Sequence, residues 1–251
     1  MPNLPQLVDY CRDLLSVDEI EDWPNALNGL QIENAGEVTK IGAAVDASTR
    51  TIDAAIEKGI NFLIVHHGLF WPGLQPFTGA RRRLLERAFQ SDLALYSSHL
   101  PLDVHSMLGN NAQLANALGF ENTAPFFKEK GRCLGLRIDA RISRDELARK
   151  LEQSLGGPVK LFPAGPEEIK SIGVITGGAG SEIYAVAREG IDTFITGEAP
   201  HWAAVAADEL GINLLLGGHY ATETFGVKAL AAHLSNRFNL PWEFIDFPTG
   251  L

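Results

Sequence analysis

Three short stretches of this sequence combine histidine with acidic residues at spacings that suit divalent metal ions. One is an adjacent histidine pair, and the other two are His-x-x-x-acid pairs. Imidazole nitrogens and carboxylate oxygens together favour borderline ions such as zinc, manganese or iron. Four imidazoles and two carboxylates are enough ligands for two ions. The candidate metal ligands, in chain order, are His66, His67, His99, Asp103, His219 and Glu223.

The histidine pair follows an apolar run, 62–65, that is typical of a buried strand. Adjacent side chains on a strand point to opposite faces. His66 and His67 can therefore reach one ion only if the strand ends before them, which Gly68 would permit. The alternative is that each histidine binds a different ion.

The two His-x-x-x-acid pairs differ in their expected surroundings. Asp103 follows His99 in a proline-containing loop, where a carboxylate can bridge two ions and His99 is either a ligand or a hydrogen-bond donor to one. Glu223 is predicted to lie on a helix over 222–236, four residues after His219 and therefore on the same face. Metal ligation would explain an acid above an apolar stripe, although an acid favoured by the helix dipole is the alternative. That stripe is Val227, Leu230, Ala231 and Leu234.

Other polar residues near predicted strand ends are weaker candidates for a functional site. Glu198 and His201 follow the run 193–196 and are candidates for acid–base catalysis. His105 has no partner pattern, and His233 is expected on the protein surface. The glycine-rich stretch 177–181 would suit a phosphate at a helix start, but a tight strand-to-helix turn explains it equally well.

Apolar runs alternate with helical patterns along the whole chain, which predicts an α/β fold. Ser143 and Glu146 form a capping box ahead of the predicted helix 144–155. Predicted strands are 41–45, 62–65, 93–97, 134–138, 172–176, 193–196, 213–216 and 242–247. Predicted helices are 4–15, 49–58, 81–90, 108–118, 144–155, 181–189, 200–210 and 222–236.

The two halves of the chain resemble each other. Residues 41–67 align without gaps on 172–198 with seven of 27 positions identical, and His66-His67 fall opposite Gly197-Glu198. The next strand of each half is followed by a His-x-x-x-acid pair. We therefore predict an internal duplication, with halves at 1–125 and 126–251, a C-terminal segment that packs back on the first half, and a metal site in the cleft between the halves.

Composition limits the classes of partner. The 251 residues are 45% hydrophobic and carry a net charge of −10, which argues against non-specific nucleic-acid binding. Cys11 and Cys133 form no ligand-spaced motif. Because the sequence shows neither a leader pattern nor an apolar run of about 18 residues, we expect a cytoplasmic protein without a membrane span.

With these motifs the chain resembles the NIF-three-like family, also called the GTP cyclohydrolase 1 type 2 family, in its short bacterial form. The matching segments occur in order and cover nearly the whole chain. They are 28–31, 44–48, 64–71, 98–103, 177–181, 194–198 and 217–223.

The resemblance implies a duplicated α/β fold, a toroidal homohexamer and a dinuclear centre, with His66, His67, Asp103, His219 and Glu223 as ligands and His99 beside them. It also implies a hydrolase that opens the imidazole ring of GTP by means of metal-activated water. Two alternatives remain open: a metal-dependent phosphoesterase, and a metal-stabilised oligomer that binds or regulates a partner without turnover.

Overall fold

The computed structural model describes residues 2–251, which form two compact α/β units. The first unit contains the chain as far as His105 and then Gly226–Phe247. The second contains Ser106–Phe225 and Pro248–Leu251. Each unit is built around one sheet, so the predicted fold class is confirmed.

The strands and helices have the following bounds. The strands are β1 (Gly29–Ile32), β2 (Ile41–Asp46), β3 (Phe62–His67), β4 (Ala94–Ser97), β5 (Ala124–Glu129), β6 (Arg132–Ser143), β7 (Lys160–Pro163), β8 (Glu168–Val174), β9 (Thr193–Thr196), β10 (Asn213–Leu216) and β11 (Trp242–Phe244). The helices are α1 (Leu4–Leu14), α2 (Thr49–Glu57), α3 (Gly79–Gln90), α4 (Leu100–Asp103), α5 (Asn110–Ala117), α6 (Arg144–Leu155), α7 (Ile183–Arg188), α8 (His201–Leu210), α9 (His219–Thr222) and α10 (Thr224–Phe238).

The sheet of the first unit has the strand order β1-β4-β3-β2-β11. Strands β2, β3 and β4 run parallel, β11 extends the parallel set beside β2, and β1 adds an antiparallel edge to β4. Helices α2 and α3 cover one face through Ile52 and Leu84. Strands β2 and β3 are apolar until their carboxyl ends, where Asp46, His66 and His67 are the first polar residues.

The sheet of the second unit has the order β5-β6-β8-β9-β10-β7. Strands β8, β9 and β10 are parallel, and β7 adds an antiparallel edge to β10. Successive residues of β9 face opposite sides, with Phe194 in one apolar cluster and Ile195 in the other. Helices α7 and α8 pack on the first face, and α5 and α6 on the second.

The two sheets share a core of three parallel strands with one antiparallel edge strand, as the alignment of the halves predicts, but they differ on the other side: β11 is parallel to β2, whereas β6 is antiparallel to β8. Ile41 of β2 lies opposite Phe62 of β3, and Ile172 of β8 lies opposite Thr193 of β9. These four residues occupy matching positions in the gapless alignment of 41–67 with 172–198. In each unit the third parallel strand then carries an antiparallel strand at the sheet edge.

The sequence predictions for the starts of α6 and α10 had different outcomes. Ser143 caps α6 as predicted, because its hydroxyl accepts a hydrogen bond from the Glu146 N–H at 3.2 Å. The predicted helix 222–236 instead begins at Thr224, so Glu223 precedes it and follows the short helix α9. Among residues 2–251, none of the helices is both long and apolar enough to cross a membrane.

Candidate metal centre

Three buried histidines meet at the carboxyl ends of β3 and β4. His66 and His67 are the last residues of β3, and His99 lies just before α4. All three side chains are buried, and one ligand atom from each lies within 4.8 Å of the others. This cluster, His66, His67 and His99, is called the imidazole cluster below.

Each ring of the imidazole cluster is fixed by a hydrogen bond at Nδ1. In every case the partner is an oxygen 2.9 Å away, so Nδ1 carries the proton and Nε2 is the nitrogen suited to a metal. The Nδ1 partners are the Ser98 carbonyl for His66, Asp46 Oδ1 for His67 and Asp22 Oδ1 for His99. Outward bonds of this kind are what metal-binding histidines normally make, and the donor set therefore fits a divalent ion.

Asp103 lies beside the imidazole cluster. Its Oδ2 atom is 3.4 Å from His66 Nε2, and it is the last residue of α4. A single turn of helix after His99 is enough to bring this carboxylate back over the strand ends. The structure thus brings four of the six predicted ligands together within the first unit.

Asp22 is a functional residue that the sequence analysis missed. Its carboxylate also accepts hydrogen bonds from the N–H groups of Trp23 and Leu100 and from the Asn28 amide. Burial raises its pKa, but the hydrogen bond and charge of His99, followed by the bonds from Asn28 and Trp23, hold the pKa below its ordinary value. Asp22 is therefore an ionised group that orients His99.

The prediction that β3 stops at Val65 was wrong. The strand continues through His67, which pairs with Asp46 on β2, yet the two histidine rings are only 4.8 Å apart. The ladder with β4 ends at the Val65–Ser97 pair, so the last two residues of β3 have a neighbouring strand on one side only. Strict strand alternation therefore does not separate the two rings.

A second cluster, His219, Glu223 and Glu198, lies at the strand ends of the second unit and is called the acidic cluster below. Glu198 Oε1 is 2.9 Å from His219 Nδ1, and Glu223 Oε2 is 3.1 Å from His219 Nε2. Burial lowers the His219 pKa, but the carboxylates of Glu223 and then Glu198 outweigh it and raise the pKa to about 9. The imidazole is thus held between two negative groups.

Gly177 makes room for the acidic cluster. Its φ of +71° favours glycine, and a Cβ at this position would collide with Glu223 Oε1. The Gly177 carbonyl accepts hydrogen bonds from the N–H groups of Gly197 and Glu198, and its own N–H donates to Thr222 Oγ1. These contacts explain the glycine by a tight turn and a close approach, without a phosphate.

The remaining candidate histidines lie elsewhere. His201 is exposed at the start of α8 and lines a cavity of about 270 Å³ with Lys160 and Phe162. The surface prediction for His233 was wrong, because this residue is half-buried and its Nε2 lies 2.7 Å from the Tyr10 hydroxyl. The predicted apolar stripe on α10 is fully buried: Val227, Leu230, Ala231 and Leu234.

Comparison with known sequences gives a consistent result. Residues 2–249 match the profile of the family described as Duf34/NIF3 (NGG1p interacting factor 3). A Deinococcus radiodurans protein named GTP cyclohydrolase 1 type 2 homolog is 37% identical over 98% of this chain and 94% of its own. An Archaeoglobus fulgidus protein of the same name is 36% identical over 99% of this chain and 100% of its own.

Solved structures share the fold over the full length. TTHA1606 from Thermus thermophilus is 40% identical, with a TM-score of 0.91 over 99% of this chain and 100% of that one. Reduced HcgD from Methanocaldococcus jannaschii is 26% identical, with a TM-score of 0.86 over 98% of both chains.

Proposed function

Because the chain belongs to the Duf34/NIF3 family, we propose that it is a metal-dependent hydrolase that holds two divalent ions per chain. The observation that carries the proposal is the imidazole cluster, in which three buried rings are oriented by oxygen partners at Nδ1. Desolvating three imidazoles side by side is unfavourable unless they bind something. The proposed ligands are His66, His67, His99, Asp103, His219 and Glu223.

The chain's own residues have separable roles in this proposal. Asp22 and Asp46 keep His99 and His67 in the tautomer that presents Nε2. A divalent ion held there would lower the pKa of a bound water toward neutrality and polarise the substrate. Glu198 is the better proton carrier of the two acid–base candidates, because it is 46% exposed and bonded to His219, whereas His201 lines the cavity with Lys160.

We propose GTP as the substrate on the strength of the relatives' shared name. Opening the guanine imidazole ring requires water to add to C8 and a C8–N bond to break, which yields a formamide that a second water converts to formate. The same centre would cleave a phosphoester if water attacked phosphorus instead. The bond that is broken, C8–N or P–O, therefore distinguishes a cyclohydrolase from a phosphoesterase.

A product assay tests this function. Metal-reconstituted protein is incubated with GTP, and the ring-opened formamidopyrimidine nucleotide, formate and inorganic phosphate are measured in parallel. We expect ring-opened product from the wild-type chain and none from Glu223→Gln, while Glu182→Gln, at a half-buried residue outside both clusters that accepts a hydrogen bond from the Ser181 hydroxyl, keeps the activity. Phosphate without ring opening would identify a phosphoesterase, and neither product from a panel of nucleotides would favour a binding protein without turnover.

We further propose that the ions held by the imidazole and acidic clusters act as one centre, as the sequence repeat predicts. Metal binding isotherms distinguish this from two independent sites. With one centre, His67→Ala weakens the binding of both ions, whereas with independent sites one ion is retained at wild-type affinity.

The homohexamer implied by the family resemblance remains part of the proposal. Exposed apolar side chains on α8, Trp202 and Val205, support a self-association surface. Sedimentation equilibrium of the full chain would show a hexamer, and a monomer at micromolar concentration would contradict this assignment.

A further inference from the structure

The indole of Trp71 packs directly on the imidazole cluster. Its ring lies 4.7 Å from the His67 ring at an interplanar angle of 25°, and 4.4 Å from the His99 ring at 54°. Trp71 is itself half-buried. One aromatic side chain therefore contacts two of the three imidazoles.

The backbone leading from the strand to this indole is tightly held. The Leu69 N–H donates to Gln31 Oε1 at 2.7 Å, and the Trp71 N–H donates to the Gly68 carbonyl at 3.2 Å. A Cβ at Gly68 would collide with the Gln31 amide. The strand end and the indole are thus linked by a short, fixed turn.

A second anchor lies farther along the same segment. The Arg81 guanidinium donates to the Leu69 carbonyl at 3.0 Å and lies over the rings of Phe70 and Phe77, 5.9 and 5.2 Å from their centroids. Leu74, in contrast, is 96% exposed. Hydrogen bonds and ring contacts therefore hold the segment 68–77 on both sides of Trp71, whereas the side chain of Leu74 is exposed to solvent.

We propose that Trp71 is a positioning residue of the metal centre: it sets the ring planes of His67 and His99, slows release of the ion, and reports its presence through indole emission. The proposal rests on the proposed function only in requiring that these imidazoles hold metal. An ion on Nε2 withdraws electron density from the imidazole, and a more positive ring stacks more favourably on the electron-rich indole. Metal binding and the indole contact therefore stabilise each other.

Co²⁺ titration of the full-length chain tests this, with equilibrium dialysis to count bound ion and tryptophan emission to monitor the indole. The chain has four tryptophans, so single substitutions separate their contributions. Trp71→Phe keeps an aromatic ring but removes the fluorophore. Trp242→Phe is the matched control in the same unit, because Trp242 lies opposite Ile41 at the amino end of β2, whereas His67 lies opposite Asp46 at the carboxyl end.

We expect Co²⁺ to quench the wild-type emission, Trp71→Phe to abolish that quenching while retaining bound ion, and Trp242→Phe to leave the absolute loss of emission unchanged. Trp71→Ala should release Co²⁺ to EDTA about tenfold faster, the size typical of losing an outer partner of a metal site. Trp71→Phe should restore a release rate near that of the wild type.

The outcomes separate this inference from the proposed function. Failure of the wild-type chain to retain Co²⁺ in dialysis would overturn the metal site itself. Retention of Co²⁺ with undiminished quenching in Trp71→Phe, or with an unchanged release rate in Trp71→Ala, would overturn the role of Trp71 alone. If Trp71→Ala does not fold, the quenching of Trp71→Phe still decides the matter.

Discussion

The two units place chemically different groups at matching positions of the three parallel strands that their sheets have in common. In the gapless alignment of 41–67 with 172–198, His67 corresponds to Glu198 and Asp46 corresponds to Gly177. In the first unit, Asp46 accepts a hydrogen bond from His67. In the second, Gly177 has no side chain, and the carboxylate of Glu223 occupies the space that a Cβ would need. At this position the first unit has a carboxylate that orients His67, and the second unit has space for the carboxylate of Glu223.

The two clusters also differ in burial and in charge. The imidazole cluster is buried and fixed at every Nδ1, so its geometry exists before any ion arrives. The acidic cluster holds one imidazole, 27% exposed in its side chain, between two carboxylates. The first unit therefore contains a preformed group of nitrogen donors, and the second contains a group with more negative charge.

The repeated His-x-x-x-acid pairs are not structural equivalents. Ser97 lies opposite Val65, and Leu216 lies opposite Thr196, so these pairs mark the same point of each sheet. His99 comes two residues after this point, whereas His219 comes three residues after it. His99 precedes α4, and His219 is the first residue of α9. The His-x-x-x-acid spacing is therefore the same in both units, but the motif begins one residue later after β10 than it does after β4.

The largest expected effect comes from deleting a ring of the imidazole cluster. His66→Ala should weaken metal binding more than about 100-fold, beyond the range for an outer partner, because a direct donor is lost. Elemental analysis after dialysis measures it. His233→Ala should retain the metal, since His233 bonds Tyr10 instead. Equal metal content in His66→Ala and His233→Ala would remove the imidazole cluster from the site.

The next effect concerns the glycine that distinguishes the acidic cluster. Gly177→Ala should lower the free energy of unfolding by about 1–3 kcal/mol, because a side chain at positive φ is strained and Glu223 must move. Gly178→Ala is the matched control, as its φ is −92° and its Cβ would lie 3.5 Å from the nearest atom. Thermal or urea unfolding of the two variants compares them. Indistinguishable stabilities would mean that Gly177 is not required for this packing.

A smaller effect is expected from the outer partner of His99. Asp22→Asn should weaken metal binding about tenfold, because the neutral amide orients the imidazole less strongly. Asp18→Asn, with an 80% exposed side chain, is the control. Isothermal titration with Zn²⁺ measures both, and an unchanged affinity in Asp22→Asn would show that His99 needs no charged partner.

The same carboxyl group predicts a pH dependence for the metal-free chain. Since the folded pKa of Asp22 lies below its ordinary value of 3.8, its contribution to stability is present above pH 3.8 and is lost as the pH falls through the folded pKa. The stability difference between wild type and Asp22→Asn should therefore shrink below pH 3.8. A difference that grows in acid would contradict this sign.

The smallest effect lies outside both clusters. Glu243 on β11 pairs with Lys58 and Lys40, which lower its pKa, but the group is exposed. Glu243→Gln should leave metal content unchanged and alter stability only slightly, at low salt and above the ordinary pKa of 4.5. Loss of metal in this variant would show that metal retention also depends on β11, outside the two clusters.

The parallel strands were predictable from sequence, including β11 at a sheet edge, and the antiparallel edge strands were not. Runs such as 41–45 and 62–65 are apolar because both faces of a parallel strand are buried. The missed strands β1, β5 and β7 each lie at an antiparallel edge, where one side is exposed and where proline and charge are tolerated. Pro125 and Pro163 lie in two of them and obscure the pattern.

The candidate ligands were visible as sequence motifs, but the residues that orient them were only partly so. Asp46 directly follows the predicted strand 41–45, so its position at a strand end was visible in the sequence. Asp22 is 77 residues from His99 and lies in no periodic pattern, so only the tertiary fold brings them together. Trp71 was part of a matching segment, but its contact with two imidazoles depends on the turn after β3.

Metal stoichiometry tests the central claim most directly. The full-length chain, purified without chelator and reconstituted separately with zinc, manganese and iron(II), is dialysed and analysed for bound element per chain. The account predicts close to two divalent ions per chain for at least one of these metals, consistent with a two-metal hydrolytic site. A chain that retains no ion under any of these conditions would contradict both the ligand assignment and the proposed hydrolase.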